Sequence, residues 1–171
     1  MTLESDRKIG QLWEKKFSEI LNHYGKAYSF LQIGRTESAI AQQNGFSYTL
    51  PDVIMWNSPQ SHYHEIKHKL KTKNHESYGL EKYRFDALMW LAQQSGQAIF
   101  YTIHDYDSKA KKHETKNLLS DWFTVNILEL NERWSYVGNN STSYVNGQKQ
   151  YVPIYYWPSS YWYPLKDLLC N

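Results

Sequence analysis

The segment His62-Tyr63-His64-Glu65-Ile66-Lys67-His68-Lys69 constrains this chain more than any other. A helix and a strand would set its charged groups in incompatible ways. On a helix, His64 and His68 stand four apart and share a face, with Glu65 beside them. On a strand, side chains alternate, so Glu65 and Lys67 project together while Ile66 projects from the other side. Each arrangement supports a different chemistry, and the flanking sequence must decide between them.

The helical arrangement is the H-E-x-x-H pattern, in which His64 and His68 hold zinc and Glu65 is the base of a metalloprotease. It needs a helix from about residue 60 to 72, yet Ile66 and Leu70 are the only aliphatic anchors there. It also needs a third ligand, and Glu81 and His104 are candidates without a second motif around them. The extended arrangement uses its neighbours better. Asp52 follows Pro51 at the start of another strand-forming run, thirteen residues before Glu65, and Asn57–Ser61 is a turn by composition. Strand, turn and return strand then bring Asp52 beside Glu65. Two converging carboxylates repel unless a positive group lies between them, and a hard divalent cation is the natural occupant. An adjacent ammonium at Lys67 can orient water or offset charge developing on a phosphoryl group. Read blandly, Asp52 is a turn residue and Glu65 and Lys67 are surface groups.

The rest of the chain supplies an α/β frame. Ile9, Leu12, Trp13, Phe17, Ile20 and Leu21 recur at steps of three and four, which predicts an amphipathic helix over 3–23 that stops near Gly25. Strands are expected over 27–34, after Pro51 to 56, over 97–104, over 122–130 and over 151–157. Residues 79–96 read as a helix closed by Gly96, 138–150 as a polar loop, and 163–169 as a short last helix. No repeat or linker marks a second domain, so residues 1–171 read as one domain.

Composition narrows the setting. The lone cysteine, Cys170, excludes an intramolecular disulfide and favours a reducing, cytoplasmic interior. The N-terminus is charged from Glu4 onward with no apolar leader, and no run of apolar residues is long enough to span a membrane. A net charge of +2 is weak evidence for a nucleic-acid partner. The basic residues cluster, however, in 67–75 and 109–116, where either run reads equally well as a solvated loop. Among 15 Tyr and 7 Trp, a dense group falls in 151–164. Such rings suit base stacking, a homodimer surface, or simple cover for the sheet.

Pro51-Asp52, twelve intervening residues, then Glu65-Ile66-Lys67 resembles the PD-(D/E)XK nuclease superfamily. The order of elements around it fits as well: a first helix, a hairpin bearing the motif, a long second helix, then a strand. Gly10-Gln11-Leu12-Trp13-Glu14 is similar to the first-helix pattern of archaeal Holliday-junction resolvases. Residues 51–56 and 64–69, followed by 79–104, also look like the VRR-NUC branch, although its usual Gln at the start of the second helix is missing.

The resemblance covers about 8–105. It implies a restriction-endonuclease-like α/β core, a central mixed sheet flanked by helices, with an aromatic-rich β extension over about 118–171. It implies a Mg²⁺-dependent deoxyribonuclease in which Mn²⁺ substitutes, acting on DNA with no small-molecule cofactor and no membrane. Asp52, Glu65 and Lys67 would be catalytic. Asp52, Glu65, the Ile66 carbonyl and Glu14 would hold the metal. Lys69, Lys71, Lys73, Lys82 and Arg84 are placed to contact the nucleic acid. A nucleic-acid-binding protein that keeps this fold without turnover is the non-enzymatic alternative.

Overall fold

A computed structural model describes residues 3–31, 41–43, 46–48, 51–57, 60–69, 71, 76–105, 119–130, 136–145 and 148–170. The elements in chain order are α1 (Leu3–His23), β1 (Ala27–Phe30), β2 (Ala41–Gln43), β3 (Phe46–Tyr48), β4 (Val53–Asn57), β5 (Gln60–Lys69) and β6 (Ser77–Glu81). They continue as α2 (Lys82–Ser95), β7 (Ala98–Asp105), β8 (Trp122–Asn126), α3 (Ile127–Leu130), β9 (Tyr136–Val145), β10 (Gln148–Pro158), β11 (Tyr163–Pro164) and α4 (Leu165–Leu169).

Six strands form the central sheet in the order β1-β4-β5-β7-β8-β11. Its neighbours are antiparallel except for β5 and β7, which run parallel. A parallel pair needs a crossover, and α2 supplies it. This is the mixed sheet flanked by helices that the motif order predicted. A three-stranded sheet, β6-β10-β9, and the small β2–β3 hairpin complete the strands.

Two cores lie on the two faces of the central sheet. On one face α1 buries Trp13, Phe17, Ile20 and Leu21 against Val53, Met55, Ile66 and Trp122. Those four helix residues belong to the apolar stripe legible in the sequence. The helix ends where Gly25, at φ +63°, lets its N–H reach Asn22 O and that of Lys26 reach Leu21 O. That closing pair of bonds requires a left-handed residue, which glycine adopts without steric cost. On the other face α2 packs Phe85, Leu88 and Ala92 against Ile99, Tyr101 and Ile103.

Several sequence expectations are corrected. Residues 79–81 are not the first turn of the second helix but the end of strand β6, because β6 pairs with β10 of the C-terminal extension. Gly79 sits beneath Tyr156, so a Cβ there would lie 2.6 Å from the Tyr156 ring. Residues 127–130 turn from strand into a helical turn, whose Leu128 N–H donates to Asn126 Oδ1 at 3.0 Å. Residues 138–145 and 148–150 are paired strand rather than polar loop. Residues 67–69 continue β5 instead of opening a basic loop, and the 109–116 run lies outside the described residues.

Candidate active site

Alternation along β5 sorts its side chains onto the two faces. His62, His64, Ile66 and His68 turn towards α1, while Glu65 and Lys67 turn towards α2. The antiparallel pairing of Val53 with His64 brings the residue before Val53 opposite Glu65. That residue is Asp52, whose carbonyl accepts the Leu31 N–H at 2.9 Å. Its carboxylate Oδ2 accepts the Ile66 N–H at 2.7 Å. One hydrogen bond thus ties the carboxylate of the first strand to the backbone of the second, within the E-x-K triplet itself.

Glu65 is fully buried. Lys67 Nζ lies 2.5 Å from Glu65 Oε1 and 4.0 Å from Asp52 Oδ2, so the ammonium stands between the two acids. Arg84, from the first turn of α2, donates from Nη1 to the same Glu65 Oε1. Glu65 Oε2 is buried without a hydrogen-bond partner. Around this centre, Arg84 Nε is 3.9 Å from Glu81 Oε2, and Lys69 Nζ is 3.8 Å from Glu81 Oε1.

The two acids respond differently to this setting. Burial alone would push Glu65 up, but Arg84 and Lys67 outweigh it and hold the carboxyl below its usual range. Burial, with Glu65 nearby, raises Asp52 to about 6 despite Lys67 and the Ile66 amide. Burial and Arg84 oppose the charge on Lys67, yet Glu65 and Asp52 keep its pKa above the ordinary lysine value. Burial also acts against Glu81, which its cationic neighbours Lys69, Arg84 and Lys67 bring down to about 2. The centre is therefore ionic at neutral pH, with Asp52 the group most easily protonated.

Two hard oxygen donors, one of them a buried oxygen with no partner, suit a hard cation that completes its shell with water. They do not make a site that encloses a metal with side chains alone. Among the described residues, no three His, Cys, Asp or Glu side chains group so as to hold a metal ion. Glu14, half-buried on α1, does not join Asp52 and Glu65 in such a group.

The zinc-protease geometry is overturned. Residues 60–69 are strand, and His64 and His68 project away from Glu65. His64 Nδ1 is 2.8 Å from Thr102 Oγ1, and His68 Nδ1 is 3.0 Å from His104 Nδ1. The Trp13 ring stacks on both His68 and His104, at 4.2 and 3.8 Å between centroids. These imidazoles are packing groups in the α1 core.

The residues expected to meet nucleic acid are all paired where they are described. Lys69 faces Glu81, Lys71 lies 3.8 Å from Asp105, and Lys82 pairs with Asp86. Lys73 lies outside the described residues. Arg84 is the residue whose place the sequence could not give, because its approach to Glu65 depends on how α2 is rotated over the sheet. Of the aromatic tail, Tyr155, Trp157 and Trp162 are buried, and Trp157 Nε1 donates to Leu130 O at 3.0 Å. Tyr151 stays 78% exposed. Most of that tail is cover for the second core.

No protein-family model matches the chain, and no curated protein matches it. Among solved structures it is similar to Hjc, a Holliday junction resolvase from Archaeoglobus fulgidus, with a TM-score of 0.54 and 12% identity. The likeness covers 93% of this chain and 98% of that one. The chain thus has the fold that the PD-(D/E)XK resemblance implied, and the match runs through nearly its whole length.

Proposed function

We propose that the chain is a divalent-metal-dependent deoxyribonuclease that hydrolyses phosphodiester bonds at Asp52, Glu65 and Lys67. One observation carries the reading: the Lys67 ammonium lies 2.5 Å from Glu65 and 4.0 Å from Asp52, where the two strands converge. The resolvase-like fold supports it, since that solved neighbour is described as a Holliday junction resolvase. Mg²⁺, or Mn²⁺ in its place, would be held by Asp52 and Glu65 with the Ile66 carbonyl as a further ligand. When bound, such an ion supplies Lewis acidity towards a phosphoryl oxygen.

The chain's own residues do the rest. Asp52 is fixed by the Ile66 amide, so its carboxylate needs no reorganisation before use. Lys67 is charged and partly open to solvent, and it orients the attacking water or offsets charge building on the phosphoryl group. Arg84 keeps Glu65 ionised inside the protein. The whole chain acts as one domain, a reading supported by the β6–β10 and β7–β8 pairings between the extension and the core. The protein works in the cytoplasm on DNA. No helix among the described residues is long and apolar enough to cross a membrane.

The test is cleavage of linear duplex, branched and single-stranded DNA with Mg²⁺ or Mn²⁺. Cutting should appear on at least one form, vanish with chelator, and vanish in Asp52→Ala. Failure to cut any form with either ion, with Lys67→Ala indistinguishable from wild type, overturns the enzyme reading. DNA binding without cutting would then favour the non-catalytic alternative.

A further inference from the structure

Arg84 raises a question of stoichiometry. A guanidinium keeps its charge at any pH a folded protein tolerates, so it cannot be neutralised in place. Here it meets Glu65 Oε1, the oxygen that Lys67 also contacts. Its Nε and the facing Glu81 Oε2 have no hydrogen-bond partner, and at 3.9 Å they are too far apart to bond each other. The guanidinium therefore hydrogen-bonds Glu65 and meets Glu81 only through charge.

The charges then set a limit. Two carboxylates, Asp52 and Glu65, are already balanced by two cations, Lys67 and Arg84. One divalent ion can take Asp52 and the unpartnered Glu65 Oε2. A second would need Glu65 Oε1, which Lys67 and Arg84 already hold, and would add its charge beside a guanidinium, where low dielectric makes like charges costly. Only Glu65 Oε2 remains unpartnered on the glutamate for a metal to use.

We propose that Arg84 stands in for a second metal ion at Glu65, so that the site takes a single divalent cation, held by Asp52 and Glu65 Oε2. This rests on the metal-nuclease reading given above. Arg84 is on this account a positioning residue that occupies Glu65 Oε1 and so limits the number of ions beside that carboxylate.

Calorimetric titration of Mn²⁺ into the full chain, without DNA and at neutral pH, tests it. The wild type should bind one ion per chain, and Asp52→Ala should lose that ion. Arg84→Lys, which keeps the charge, should still bind one; Arg84→Gln should admit a second. A wild type that binds two ions, both lost in Asp52→Ala, overturns the inference and leaves the nuclease reading standing. So does a folded Arg84→Gln that stays at one. If Arg84→Gln does not fold, the counts for wild type and Arg84→Lys decide. Absence of any Mn²⁺ binding sensitive to Asp52→Ala overturns both.

Discussion

The two faces of β5 are made by alternate residues of one strand, yet they use opposite physics. Towards α1 the strand presents His62, His64 and His68, whose rings lie against Trp13, Phe17 and Phe100, and Ile66, which joins the same core. Towards α2 it presents Glu65 and Lys67, which stay charged and are matched by Arg84. The first face has value as packing. The second is a poor way to gain stability, because desolvating ions offsets much of their attraction. A buried ionic cluster that adds little to stability fits best as a place where charge is used. Period-two alternation lets a single strand serve both ends without compromise.

The largest effect should come from breaking the packing face. Trp13 is fully buried and lies against His68, His104 and Trp122. Trp13→Ala should cost about 3–5 kcal/mol of stability, the usual range for losing a core aromatic. Urea denaturation measures this, and a loss under about 1 kcal/mol would mean that the α1 face is loosely packed.

The ionic face should respond in rate instead. Lys67→Ala should slow cleavage by about 10²–10³-fold, the size of losing one preorganised group that acts on transition-state charge. DNA affinity should change little, because the ammonium acts on charge that develops only during reaction. Asp52→Ala should mimic chelator. Single-turnover cleavage set beside anisotropy binding separates the two. Equal losses of rate and affinity in Lys67→Ala would place Lys67 among the binding groups.

These contrasts also mark how far the sequence could be read. The E-x-K alternation, the strand start at Pro51-Asp52 and the α1 stripe are local, with periods or spacings of a few residues, and each found its place. Residues 77–81 were not legible because their partner, β10, lies some seventy residues on. Nothing within Tyr78-Gly79-Leu80-Glu81 separates an edge of helix from a strand until Tyr156 is laid over Gly79. For β9 and β10 the sequence does hold a local signal: Asn146-Gly147, a dipeptide suited to a two-residue turn, falls between the paired Val145 and Gln148. Asn126 as the cap of α3 was similarly available. Arg84 was not, since ion pairing across elements follows from helix rotation that no spacing encodes.

Acid should set the faces against each other. His64 and His104 are pushed down to about 3 by burial, with His62 adding to the effect at His64 and with His68 and Lys16 adding at His104. The unfolded chain therefore takes up these protons first, so their stability is present above about pH 6.5 and lost as pH falls towards 3. Below pH 6.5 each should cost about 1.4 kcal/mol per pH unit. Asp52 has the opposite sign. Its folded pKa is raised to about 6, so acidification through that value favours the fold while removing a metal ligand. Stability curves from pH 7 to 5 should fall, and His104→Gln should flatten them. Mn²⁺ affinity should fall below about pH 6 in both proteins. A wild type whose stability is flat across this range would show that the imidazoles are already charged in the fold.

The smallest effect concerns how DNA reaches the ionic face. Lys69, Lys71 and Lys73 follow Lys67 along the chain, and a protein that neutralises phosphates releases counterions. Binding then weakens with salt by a slope of about 0.9 per duplex contact. Lys69 and Lys71 already have carboxylate neighbours, Glu81 and Asp105, at 3.8 Å. Both contacts are long and both lysines are partly open to solvent, so a phosphate can compete for either, although the gain is less than for a free one. Replacing all three with Gln should therefore lower the salt slope by about 1–2 rather than by the full value for three contacts. The loss should be the same for every DNA sequence, since phosphates carry no sequence information. It should appear in binding and leave the single-turnover rate at saturating DNA unchanged, the reverse of Lys67→Ala. An unaltered salt slope in the triple variant would mean that DNA approaches Glu65 from another side, and that Lys69 and Lys71 serve only their carboxylate partners.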